Sequence, residues 1–180
     1  MITIPDISDY YNNYDILLLF FAILFVDVAV LFLVRYFPDF FGKALNDWYT
    51  DFNFTAILSD VLIILLVFII ARYVYTRWIK PRYGWNPLIF LALLIGIQVV
   101  HDILFYLAII LPIPVGHNEV IDLFKKYSRK GPKIIVGDAL LMLASALVAF
   151  YYKSQPTHVV VTGSIFVLYN ATYILYTKPL

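Results

Sequence analysis

Seven polar residues stand inside runs that are otherwise apolar: Asp27, Asp60, Gln98, His101, Asp102, Asp138 and Asn170. A carboxylate in mid-bilayer costs at least about 2.5–3.5 kcal/mol, so each needs a partner, water or a task. A histidine near several carboxylates takes up and releases protons around neutral pH. Carboxylates crowded together compete for the same proton. That chemistry suits a proton relay or a cation site. Asp60, His101, Asp102 and Asp138 also supply oxygen and imidazole ligands of the kind a divalent ion accepts. No metal spacing such as HExxH is present, so the metal signal is weak. Ser59 and Ser145 are available as nucleophiles, but neither lies in a GxSxG setting. Retinal chemistry is disfavoured, because no lysine falls in the middle of an apolar run.

Each residue has a plainer role as well. Asp60 and Asp138 fall in the first turns of their apolar runs, where a helix dipole favours a carboxylate. Asp27 has Arg35, Arg72 and Lys133 as candidate ion-pair partners. His101 and Asp102 are adjacent, so on a helix they diverge by about 100° and are not a natural pair. His101 then bonds Asp138 or Asp60 instead, as part of a structural network.

The elements that carry these residues are five runs near the roughly 20-residue length a helix needs to cross hydrocarbon. They cover residues 16–37, 55–78, 87–111, 133–152 and 158–176. Pro38, the Pro-Gly-Trp link at 79–86, Pro112 with Pro114, and Gly131-Pro132 separate them. Residues 1–15 read as a polar lead-in without a basic stretch, so no cleavable signal peptide is expected. In residues 38–54, Trp48, Tyr49, Phe52 and Phe54 suit a segment lying in the headgroup layer. Asn53-Phe54-Thr55 is a formal glycosylation sequon, discounted because it abuts the second span. After the third span, Asn118 reads as a helix N-cap with Glu119 just inside. Val120, Ile121, Phe124 and Tyr127 then recur at helical spacing. Lys125, Lys126, Arg129 and Lys130 make this a short amphipathic helix for an anionic membrane face. The expected fold is all-α: one transmembrane domain over 1–180, with five spans and an interfacial helix between spans three and four.

Alternation of the spans sorts the polar residues by depth. At about 1.5 Å per residue, Asp60 and Asp138 lie about 8 Å from the inner ends of their spans, Asn170 about 9 Å, and Asp27, His101 and Asp102 about 14–15 Å. Every span thus contributes to one half of the membrane. Gln98, Asp102 and Tyr106 form one helical stripe, Asp138, Ser145 and Ala149 a second, Gly163, Asn170 and Tyr173 a third. Turned inward, these stripes make a pocket. Lys and Arg number five on the N-terminal side (72, 77, 80, 82, 153) and eight on the other (35, 43, 125, 126, 129, 130, 133, 178). That excess predicts the N-terminus outside and the C-terminus inside.

Composition supports these exclusions. The 180 residues are 63% hydrophobic and 14% charged, against about half and a quarter in soluble domains. A net charge of +1 gives no sign of a nucleic-acid partner. Cysteine is absent, which removes disulfides, thiolate metal sites and a cysteine nucleophile. No internal repeat is visible. The sequence leaves any cofactor undetermined and a homo-oligomer open.

The stretches QVVHDILFY, PIPVGHNEVIDLFKKYSRKG and IIVGDALLMLASALVAFYYK, across residues 55–176, resemble a group of multi-span membrane proteins encoded by large double-stranded DNA viruses. Its distinctive pieces are His101-Asp102, the turn with Gly116, Asn118, Ile121 and Asp122, and Gly137-Asp138. The group carries no assigned activity, so the resemblance implies a viral or infected-cell membrane and no mechanism. Three functions follow as expectations. One is proton or cation handling through Asp27, Asp60, Gln98, His101, Asp102, Asp138 and Asn170. Another is a structural or assembly protein of a viral membrane, its Lys-rich helix gripping anionic lipid or a capsid protein. The third is a metal-dependent enzyme acting on lipid headgroups.

Overall fold

The computed structural model describes residues 4–128, 131 and 133–178, and among them it contains helices and no strand. In chain order they are α1 (Asn13–Tyr36), α2 (Pro38–Phe41), α3 (Lys43–Phe52), α4 (Phe54–Val74), α5 (Lys80–Tyr83), α6 (Pro87–Phe105), α7 (Glu119–Ser128), α8 (Lys133–Lys153) and α9 (Thr157–Leu175). A π-helical turn, Tyr75–Ile79, joins α4 to α5, and another, Tyr106–Ile110, extends α6. Five helices are long and apolar enough to cross a membrane: Asn13–Tyr36, Phe54–Tyr83, Pro87–Ile110, Lys133–Lys153 and Thr157–Leu175.

Local sequence sets the helix ends. The Asn12 side chain accepts from the Tyr14 N–H at the start of α1. Asn86 accepts from Leu88 and Ile89 at the start of α6, with Pro87 at the first helical position. Asn118 accepts from the Ile121 N–H at 3.1 Å, so the expected cap of α7 is present. Between α2 and α3 the chain turns at Gly42, whose φ of 81° a side chain would resist.

Four helices close a ring. α1 packs on α4 and α8, and α6 packs on the same two. The interior is apolar over most of its length, with Leu19, Ile23, Phe68, Phe90, Leu94 and Met142 fully buried. α9 packs chiefly on the outside of α1. The three connections of the ring therefore alternate between two ends. At one end α3 and α7 pair beneath the ring, Trp48 lying 5.1 Å from Phe124 ring to ring and Phe124 6.1 Å from Phe105.

The opposite end is covered by the N-terminal segment, which is more than a polar lead-in. Residues 4–12 lie against the bundle with Ile7 and Ser8 buried. Arg72 donates to the carbonyls of Asp9 and Asn12. Asp15 is buried beneath this strap and paired with Lys153 at 2.6 Å and Arg72 at 3.7 Å. A polar segment can be held this way because its backbone groups find partners in the side chains of the helix ends.

Candidate functional site: an acid cluster at one end of the ring

Four acids, one from each ring helix, lie at the end covered by α3 and α7. Asp27 of α1 is almost wholly buried, and its Oδ1 accepts from the Tyr49 hydroxyl at 3.0 Å. Asp60 of α4 is half-buried, and its Oδ2 accepts from Trp48 Nε1–H at 2.8 Å. Asp102 of α6 accepts from Gln98 Nε2 at 2.6 Å and lies 3.2 Å from His101 Nδ1. Asp138 of α8 is half-buried and within electrostatic reach of Asp60 and Asp102. Asp27 is in turn within reach of Asp60.

Two tyrosines outside the spans report the same crowding. Burial pushes the Tyr127 hydroxyl of α7 up to about 12, and the charges of Asp138 and Asp60 add to the shift. Burial raises the Tyr49 hydroxyl well above its ordinary value, with further pushes from Asp27 and Asp60. Both remain protonated at neutral pH, and Tyr49 donates to Asp27.

The pairings differ from several expectations. Asp27 joins none of Arg35, Arg72 or Lys133. Arg35 is occupied by Asn46, by Thr50 at 2.8 Å and by the Leu175 carbonyl at 3.0 Å, and Arg72 is held under the strap. His101 pairs with its neighbour Asp102 rather than with Asp60 or Asp138. Its ring lies nearly parallel to Phe105, one turn on, at 5.8 Å, and this stack swings Nδ1 toward the carboxylate despite the 100° divergence of the two Cβ directions. Trp48 and Tyr49 do not lie on a surface: both are buried, their polar tips bonded to acids.

Asn170 is the residue the fold leaves out. Its amide donates to the Phe166 carbonyl one turn back at 2.7 Å. It lines an apolar groove between α9 and α1, with Phe25 and Phe32 opposite. Because α9 lies outside the ring, the fifth span adds no polar group to the cluster. Lys125 is engaged by the Ile113 carbonyl, while Lys126 is exposed. Arg129 and Lys130 lie outside the described residues.

Trp48, Tyr49 and Tyr127 are the site residues that reading by spans passes over. Residues 43–52 carry the same amphipathic periodicity as 119–128, with Trp48, Tyr49 and Phe52 on one side and Lys43, Asn46, Asp47 and Thr50 elsewhere. A helix of that kind needs an apolar surface to cover, and the ring end provides it.

Among the described residues, no Lys or Arg forms an ion pair with any of the four acids; the only such contact is His101 with Asp102. Asp27 Oδ2, Asp102 Oδ2 and Gln98 Oε1 are buried without a hydrogen-bond partner. A carboxylate oxygen in that position requires a proton, a water or a cation. No group of three or more His, Asp or Glu among the described residues is arranged to hold a metal ion. No protein-family model, curated protein or solved structure matches this chain.

Proposed function

We propose that this protein is a multi-pass membrane protein that takes up and passes protons or small cations through the cluster of Asp27, Asp60, Asp102 and Asp138. The observation that carries this reading is the meeting of four acids from four helices with, among the described residues, no basic ion-pair partner other than His101. A purely structural network would be expected to match carboxylates with guanidinium or ammonium groups, as the opposite end of the same ring does at Asp15. His101 lies beside Asp102, its Nδ1 3.2 Å from the carboxylate, and is partly exposed. Gln98 continues the polar line one turn further into the ring, and the buried Ser145 hydroxyl, also without a partner, lies on the α8 face between Asp138 and Lys153.

In this reading the strap end faces outward and the acid end inward, following the excess of Lys and Arg on the acid side. The exposed Lys126 rests against anionic headgroups, with α7 in the interfacial layer. The setting is a viral or infected-cell membrane, as the resemblance of residues 55–176 implies.

The test is proton flux into liposomes carrying the purified protein, read with an enclosed pH-sensitive dye. Wild type is expected to dissipate an imposed gradient faster than empty liposomes, and Asp102→Asn to fall to the empty-liposome rate. A wild-type rate equal to the empty control overturns the reading. A second reading is favoured by one observation: Asp27 and Asp60 each bond an α3 side chain, so the acids also tether a helix. If Asp102→Asn lowers the melting temperature and no form conducts, the protein is a structural or assembly component of its membrane.

A further inference from the structure

The strap is bound chiefly through its backbone. Trp85 Nε1–H donates to the Ile4 carbonyl at 2.9 Å, Lys153 Nζ to Asp6 at 2.5 Å, and Thr76 Oγ1 to Ser8 at 2.7 Å, while Arg72 serves Asp9 and Asn12. The Tyr10 N–H returns a bond to Thr76 Oγ1 at 3.1 Å. Three strap side chains add contacts across this surface: Asp6 pairs with Lys80 at 2.7 Å, Ile7 enters the core, and the Tyr10 ring meets Tyr73 edge-on at 5.3 Å. Side-chain donors that read a run of main-chain carbonyls, with one apolar anchor and one charge, are the features of a cleft for an extended peptide.

Its position is equally specific. The strap touches the ends of all four ring helices: Asn12 at α1, Arg72 and Thr76 on α4 and its π-helical turn, Trp85 before α6, and Lys153 closing α8. A π-helical turn inside a span is common at functional sites, and this one presents Tyr75 to the Gly84 carbonyl and Thr76 to the strap. Counting along α1 and α4, the acid layer lies about 18 Å further into the ring, twelve residues at 1.5 Å each.

We infer that the outer mouth of the ring is a peptide-binding cleft, that residues 4–12 fill it in cis as a displaceable plug, and that their withdrawal unseals the mouth above the apolar interior that separates it from the acid cluster. The occupant is the chain's own segment, or the same sequence supplied in trans. The gating consequence rests on the proton-handling reading; the cleft does not.

The test uses the full chain, which has no cysteine. Ser8→Cys places one thiol at a fully buried strap position. Its reaction with a charged maleimide in detergent is expected to be slow. A synthetic peptide of residues 4–12 is expected to accelerate it severalfold in a saturable manner, by displacing the strap. The same peptide with Ile7→Asp is expected to bind roughly tenfold or more weakly, from loss of the buried anchor. A labelling rate indifferent to peptide, or equal acceleration by the Ile7→Asp peptide, overturns the cleft. In liposomes, a variant with cysteines at Ser8 and Thr76 is expected to conduct less when cross-linked than after reduction. Peptide-dependent labelling with equal flux in both states overturns the gate and leaves the cleft standing. Peptide-dependent labelling with no flux from wild type or any variant removes the proton-handling reading instead.

Discussion

Tyr49 shows how narrowly the buried acids are served. It gives Asp27 one hydrogen bond, and the other carboxylate oxygen has no protein partner. Tyr49→Phe removes the donor while keeping the ring, so it is expected to destabilise the protein by about 1–3 kcal/mol, the cost of an unsatisfied buried acceptor. Thermal unfolding in detergent checks this, and an unchanged midpoint means that Asp27 is satisfied by something else. The strap offers a second test, in pH. Burial alone would raise the Asp6 carboxyl, but hydrogen bonds from Lys80 and Ser8, with the Lys80 charge, leave it below its ordinary 3.8. The folded state therefore holds Asp6 ionised more firmly than the unfolded chain. That contribution is fully present above pH 3.8 and is lost as pH falls through the lower folded value. Asp6→Asn is expected to cost about 0.5–1 kcal/mol at pH 7, given the partial exposure of the pair. The difference from wild type is expected to vanish well below pH 4, as followed by melting midpoint against pH.

Among the elements, the two short amphipathic helices do the most to shape the site. α3 supplies the donors for Asp27 and Asp60, and α7 holds α3 in place through Phe124, which sits between Trp48 and Phe105. Phe124→Ala removes that wedge at a half-buried position. A loss of about 2 kcal/mol is expected, lower than for a fully enclosed aromatic. Hydrogen exchange is expected to speed up in α7 first and in α3 next, while α1 and α4 stay protected. Equal acceleration across all helices would mean that the end cover and the ring unfold as one unit.

At the scale of the molecule, the arrangement is a four-helix ring closed at both ends, with one helix outside it. The closures differ in kind. One end uses aromatic side chains whose polar tips meet acids; the other uses cations that meet backbone carbonyls and one buried acid. Because α9 packs chiefly on α1, a chain ending after Pro156 is expected to keep the ring. Its helicity is expected to fall by about the share of α9 and its melting midpoint by a few degrees; under the proposed proton-handling function, the flux is expected to match that of the full chain. Circular dichroism and the liposome assay read these outcomes, and loss of cooperative unfolding would show α9 to be part of the ring's core.

The five spans, their ends within a few residues, the N-cap of α7 and the convergence of Asp60, Asp102 and Asp138 on one end were all determined by the amino-acid sequence itself. The physical reason is that hydrocarbon thickness and the cost of a buried charge act along one dimension, so counting residues is enough to place a group by depth. Rotation about each helix axis is a different matter. α1 and α4 are apolar on nearly every side, and periodicity then says little about which face turns inward. Only the tertiary structure decided that Asp27 meets Tyr49 and not an arginine, that His101 bonds its own neighbour, and that Asn170 turns away with α9. It also decided that residues 4–12 fold back over the ring. Those outcomes depend on which helix lies beside which, and packing between distant segments is not written into the pattern of any one of them.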